Sequence, residues 1–182
     1  MDYSSPAGKI IPSIQYSFTG AMNPVKKESA FLHLPTYFAG IIYHLGTFLS
    51  ILMFFFIWSD LPLPDILIYS IVPFLLISFS CGIGILIKRL LKKGLRDLSN
   101  PDDYLSNLLV TGFQLMTGIV LLWNQAYPVY FILSSLLLLY FPLGKLKHVI
   151  YFFAARYHLG FFFGWRGIWP PKKSERNGGW EN

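Results

Sequence analysis

The sequence predicts an all-α integral membrane protein: a bundle of four transmembrane helices plus a C-terminal interfacial helix, with both termini cytoplasmic. Three observations carry that fold class. Of 182 residues, 54% are hydrophobic and only 13% charged, about half the charge of an ordinary soluble domain. A soluble chain of this size exposes too much surface to carry so little charge. Four apolar stretches approach or exceed the roughly 20 residues that a membrane crossing needs. Finally, the four-span topology puts every basic residue on one side.

Residues 1–30 contain Pro6, Gly8, Pro12, Gly20 and Pro24 together with Lys9, Lys26 and Lys27. They lack the apolar run and small-residue cleavage site of a signal peptide. They read as a polar arm, ordered in part against a partner or the membrane surface. The apolar stretches then cover residues 31–58, 66–87, 104–123 and 127–143. Pro35, Pro73 and Pro142 lie inside or at the ends of these segments, where membrane helices tolerate them as kinks. After the fourth stretch come Gly144, Lys145, Leu146, Lys147 and His148, then an aromatic, amphipathic segment up to Trp165.

The charges orient the bundle. Of the 15 Lys and Arg residues, three lie in the arm, five are Lys88, Arg89, Lys92, Lys93 and Arg96, and seven follow Leu143. The turn at 59–65 holds Asp60 and Asp65 and no base, and the turn at 124–128 has no charge. Positive residues remain on the cytoplasmic side, so both termini are placed there. A fifth span over 148–165 would send the basic tail outward against that rule. An interfacial or re-entrant helix keeps Lys145, Lys147 and Arg156 away from the membrane centre, where they would be costly. The chain thus divides into a cytoplasmic arm (1–30), a transmembrane bundle with its interfacial helix (31–165) and a basic cytoplasmic tail (166–182).

Several functions are excluded. The net charge of +6 does not indicate nucleic acid, because the bases form short clusters beside apolar runs and not a basic face on a soluble fold. Cys81 is the single cysteine, so there is neither an internal disulfide nor a Cys-rich metal site. Gly82 and Gly84 lie within an apolar span, where glycine permits close helix packing, and do not follow a soluble strand as a nucleotide loop would. A transporter needs ionisable groups around a midplane cavity, and His44 is the only candidate at that depth.

The four histidines, His33, His44, His148 and His158, lie in or beside the first and last apolar segments. His33 and His44 are 11 residues apart, about three full turns and about 16 Å along a helix. That spacing puts them on one face, expected to look into the bundle because imidazole is unfavourable against lipid. Neutral imidazole ligates haem iron, and bundle interiors hold such cofactors. Hydrogen bonding to another helix, a proton relay or a quinone contact are the other roles open to these side chains.

Further residues carry a family resemblance. His33-Leu34-Pro35, Tyr43-His44-Leu45-Gly46 and above all Tyr140-Phe141-Pro142-Leu143-Gly144-Lys145-Leu146-Lys147-His148 resemble the gamma-subunit family of respiratory nitrate reductase. That family comprises haem b membrane subunits, with relatives in heterodisulfide-reductase-like and sulfite-reduction-associated complexes. The loop from Lys88 to Tyr104, Gln114 with Gly118, and the tail Phe153-Ala154-Ala155-Arg156-Tyr157-His158-Leu159-Gly160 through Gly164-Trp165-Arg166-Gly167 extend the similarity over residues 30–170.

The resemblance implies a cytochrome b subunit of the prokaryotic inner membrane. It would relay electrons between a lipid quinone, menaquinone by family analogy, and a cytoplasmic iron–sulfur protein of a hetero-oligomeric complex. Such a chain is a non-catalytic or quinone-reactive subunit of an oxidoreductase. It implies one haem b between His33 and His148. A second would use His44, but the family's other histidine, 18 residues before His148, is here Tyr130. His158 is a further potential ligand. Lys147, Lys145 and Arg156 are candidate partners for haem propionates, and His44, Gln114, Tyr43 and Tyr130 candidate quinone contacts. The basic segment 88–96 and the tail would dock the partner, or else face lipid headgroups. The competing function is a haemless membrane anchor of a redox complex.

The topology is testable with single cysteines in a Cys81→Ser background. A membrane-impermeant maleimide applied to intact cells is expected to label Ser59→Cys and to reach Arg96→Cys only after lysis. Labelling of Arg96→Cys in intact cells would invert the topology.

Overall fold

The computed structural model describes residues 5–23 and 33–171. Lys26 and Lys27 of the arm and the basic tail beyond residue 171 lie outside the described residues. Every regular element among the described residues is helical: α1 (Ile10–Phe18), α2 (Leu34–Trp58), α3 (Asp65–Leu91), α4 (Lys93–Asp97), α5 (Pro101–Leu122), α6 (Tyr127–Tyr140) and α7 (His148–Trp165). Short 3-10 turns occupy Gly20–Met22, Asn124–Ala126 and Lys145–Lys147. The helices form two compact units, residues 32–147, and residues 1–31 with 148–182.

Three helices, α2, α3 and α5, are each long and apolar enough to cross a membrane, and α6 with α7 makes a fourth crossing only if the pair counts as one broken span. The fourth apolar stretch is therefore shorter as a helix than expected. Its 14 residues reach about 21 Å, less than the roughly 30 Å of hydrocarbon. Local chemistry ends it. Pro142 cannot donate to the helix ladder, and the amides of Leu143 and Gly144 both turn back to the Tyr140 carbonyl at 3.0 Å. A Cβ on Gly144 would meet the Tyr140 ring at 2.5 Å.

Three more prolines fall where their missing amide matters least. Pro35, Pro101 and Pro128 sit in the first turns of α2, α5 and α6, where the N–H has no helical partner. Pro73 lies well inside a helix, α3. Asn100 caps α5 in a reciprocal box: its side chain accepts from the Asp103 amide at 3.1 Å, and Asp103 accepts from the Asn100 amide at 3.0 Å.

In the unit 32–147, α2, α3 and α5 meet around a buried amide. Gln114 of α5 is fully buried. Its Nε2 donates to the Tyr43 carbonyl at 3.0 Å and to Thr47 Oγ1 at 2.8 Å, both on α2. Its Oε1 accepts from Ser78 Oγ of α3 at 2.9 Å. The backbone carbonyl can only accept, so the amide's orientation is fixed. Two glycines allow the helices to come this close. A Cβ on Gly46 would stand 2.0 Å from Ser78 Oγ and 2.4 Å from Ser78 Cβ, and one on Gly82 would stand 2.6 Å from both Thr111 Oγ1 and Tyr43 Cε2. Above this clamp, Tyr43 Oη donates to the Asn107 carbonyl at 3.3 Å and accepts from Thr111 Oγ1 at 3.2 Å.

Two ends of the same unit differ in character. Where α3 ends and α5 begins, Asp103 pairs with Arg89 at 2.9 Å and with Lys145 at 2.8 Å. The Lys145 amide adds a bond to Asp102 at 2.8 Å, and Lys88 reaches Thr36 on α2. At the opposite ends of these helices, a cleft of about 460 Å³ opens between the turn after α2 and the turn after α5.

The unit 1–31 with 148–182 is built by α1 against α7. The N-terminal arm therefore contains a helix that packs on the C-terminal one. Ser13 and Ser17 of α1 are buried, as are Gly160 and Gly164 of α7. A Cβ on Gly160 would lie 2.5 Å from Ile14 Cα, and one on Gly164 would lie 2.7 Å from Ser13 Cβ. Ser17 Oγ donates to the Arg156 carbonyl at 2.6 Å, Ser13 donates to the carbonyls of Lys9 and Trp169, and the Ala7 amide donates to Trp165 at 2.8 Å.

Gly46→Ala is expected to lower the thermal midpoint in detergent, at a cost of about 1–3 kcal/mol for overpacking. Because the Cβ contact survives any Ser78 rotamer, Ser78→Gly in the same chain should restore part of the loss. An unchanged midpoint for Gly46→Ala would mean the helices stand further apart than described.

Candidate functional site

The histidines occupy exposed positions. His33 is the residue before α2, with φ −127° and ψ 35°. The face shared by His33 and His44 presumed an unbroken helix through both; the helix instead begins at Leu34, so periodicity fixes only His44. That residue lies in the middle of the apolar helix α2 and is exposed. The buried residues of α2 are Gly46, Ser50 and Met53, which lie about 180–240° around the helix from His44. His44 thus points away from α3 and α5, not into the three-helix interior as expected.

The reason is packing. The interior is filled by the Gln114 clamp, with helices too close at Gly46 and Gly82 to admit a haem macrocycle. A haem does not fit between α2, α3 and α5. His33 and His44 are exposed imidazoles, the kind of donor that haem iron takes, and of the two only His44 is placed by the helix on the opposite side of α2.

The other unit repeats this disposition. His148 begins α7 and His158 lies within it, and both are exposed. His158 is about 200–240° around the helix from Gly160 and Gly164, which face α1. Arg156 is half-buried, with its guanidinium 5.6 Å from the Phe152 ring. Lys147 is exposed, whereas Lys145 is engaged with Asp103.

The structure brings together Tyr43 and Gln114 among the candidate quinone contacts, but it spends their polar groups internally. Gln114 has both ends of its amide bonded, and Tyr43 is held by Asn107 and Thr111. Tyr130 is 0% exposed and stacks on Phe113 with centroids 5.7 Å apart, beside Phe54 and Phe131. Its hydroxyl is buried without a hydrogen-bond partner among the described residues. Where a second haem ligand was considered, the chain has a core aromatic.

Sequence reasoning missed the cleft at the other end. It is walled by Ile57, Leu61, Ile68 and Val120, with Asp60, Asn124 and Tyr127 offering polar groups. Asp60 has φ 51°, a left-handed conformation that Asp tolerates better than most residues. Acidic and amide residues in a turn gave no sign of this. The ion-paired cluster around Asp103 was also missed, although Asn100-Pro101-Asp102-Asp103 has the spacing of a helix cap.

Among the described residues no group of three or more His, Cys, Asp or Glu is placed to hold a metal ion. No family profile, no curated protein and no solved structure matches the chain.

Tyr130→Phe is expected to keep or raise the thermal midpoint, since removing a buried hydroxyl without a partner removes a desolvation cost. Tyr130→Ala should cost about 3–5 kcal/mol. A large loss in Tyr130→Phe would show that the hydroxyl is bonded.

Proposed function

We propose that this chain is a membrane cytochrome b subunit that relays electrons between a membrane quinone, menaquinone by family resemblance, and a cytoplasmic iron–sulfur partner protein in the prokaryotic inner membrane. The observation that carries the reading is His44. Its imidazole sits in the middle of an apolar helix, on the side turned away from the bundle's own interior. Neutral imidazole is a haem-iron ligand, and the resemblance to haem b membrane subunits supports that role for it.

The four-span arrangement, with the α6–α7 pair as the fourth span, α7 interfacial and both termini cytoplasmic, belongs to the same proposal. His33 and His148 would supply neutral imidazole nitrogens to a first haem, and His44 or His158 to a second. Lys147 and Arg156 would balance propionate charge. A haem b in these positions supplies one-electron transfer, while the chain supplies placement and tuning. With Gln114, Tyr43 and Tyr130 committed to the bundle, the cleft beside Asp60 and Asn124 offers the open space suited to a quinone ring.

Tyr130 favours a second reading, a haemless anchor of a redox complex, because the family's second ligand is replaced by a residue used for packing. A pyridine haemochrome assay on the purified chain separates the two. At least one haem per chain, lost in His33→Ala and in His148→Ala with folding intact, is the expected result. Well-folded protein without haem would leave the anchor.

A further inference from the structure

A helix pair that stands in water turns its apolar side chains inward and its polar ones outward. The pair α1–α7 does the reverse. Ser13 and Ser17 of α1 are fully buried, and their hydroxyls bond carbonyls. Ser17 donates to Arg156 of α7 at 2.6 Å, and Ser13 donates to Lys9 and to Trp169 beyond α7. Gly164 lies against Ile10 and Ser13, and Gly160 against Ile14, so the two helices run antiparallel.

The outside of the pair is apolar. Ile11 and Phe18 of α1 are exposed, Ile11 by 71%. On α7, Leu159 and Phe161 lie about 100° to either side of Gly160, and Phe162 about 200° from it; all three are exposed. Over residues 5–23 and 148–171 there is no Asp or Glu, and Lys9, Arg156 and Arg166 are the only Lys or Arg. Water does not tolerate an apolar surface of that extent with so little charge. A bilayer covers the sides and the back of α7 at once. The polar groups set the depth. Gln15 of α1 is exposed, Arg156 is half-buried, and the Arg166 guanidinium lies 3.6 Å from the centre of the Phe162 ring. Those groups belong near headgroups and not at the membrane centre.

We infer that α1 and α7 together form an interfacial hairpin whose outer surface docks among the headgroups and upper acyl chains of an anionic lipid leaflet. Charge complementarity identifies the lipid: the pair carries cations and no acid, and such segments attract acidic phospholipid. The N-terminal segment is then bound to lipid through α1 and does not stand in the cytoplasm as a polar arm. The inference shares with the reading above only the interfacial placement of α7, and it needs neither haem nor quinone.

The test uses the full-length chain in a Cys81→Ser background, reconstituted into vesicles of phosphatidylcholine with phosphatidylglycerol. Ile11→Cys, Phe162→Cys and, as an aqueous control, Ser59→Cys are each labelled with a nitrobenzoxadiazole fluorophore. Quenching by doxyl-labelled lipid is compared with quenching by iodide supplied on both sides of the membrane. The thermal midpoint of each variant checks its fold, and Phe18→Cys takes the place of Ile11→Cys should that variant not fold. At Ile11 and Phe162, lipid quenching is expected to exceed iodide quenching several-fold, with the reverse at Ser59. In vesicles of phosphatidylcholine alone, lipid quenching at Ile11 should fall; an unchanged value overturns the choice of an acidic lipid. Iodide quenching at Ile11 with Phe162 shielded overturns the inference and leaves α7 interfacial, whereas iodide quenching at both removes that placement as well. Shielding of Ile11 from both quenchers would mean that protein covers the pair, and it also overturns the inference.

Discussion

A primary amide in a membrane interior has no water to satisfy it, and Gln114 meets that constraint by binding two neighbouring helices at once. Three hydrogen bonds, to the Tyr43 carbonyl, Thr47 and Ser78, demand that α2 and α3 approach α5 closely. Gly46 and Gly82 make the approach sterically possible. Apolar burial cannot fix these positions, because lipid is as apolar as leucine, and interhelical hydrogen bonds contribute only about 0.6–2 kcal/mol each. Close packing and full satisfaction of the polar groups therefore have to occur together.

The closed interior decides what the rest of the unit can do. Polar residues that a sequence reading offers to a quinone, Gln114 and Tyr43, are used up holding helices. The second unit follows the same rule by different means. Gly160 and Gly164 accept the α1 backbone and Ser13, and Ser17 bonds the Arg156 carbonyl. In both units a small-residue contact fills one side of a helix, and the histidines within α2 and α7 lie on the other.

The membrane class and the helical segments were legible because apolar runs of spanning length have few other outcomes. The early end of the fourth segment was legible in principle from Pro142 and Gly144, but hydropathy continues past Tyr140 and hid it. Which way His44 points was not legible. Helical periodicity relates residues to one another and does not say which side meets a neighbour, and the weak polarity of Ser50 and Ser78 did not mark the inner side. The α1–α7 pairing was hidden for a similar reason. Ser13 and Ser17 gain meaning only beside Gly160 and Gly164, more than a hundred residues away, and Pro12 argued against a helix. Once formed, that helix holds Pro12 in its first turn, where no amide is missed.

The central claim is that the α2–α3–α5 interior is packed protein and that His44 lies on the side of α2 turned away from it. An experimental structure of the purified chain reconstituted with haem, in a lipid nanodisc, addresses it directly. The account predicts the Gln114–Ser78 hydrogen bond intact and no iron between α2, α3 and α5. Iron between α2 and α5, with Gln114 displaced from Ser78, would contradict it.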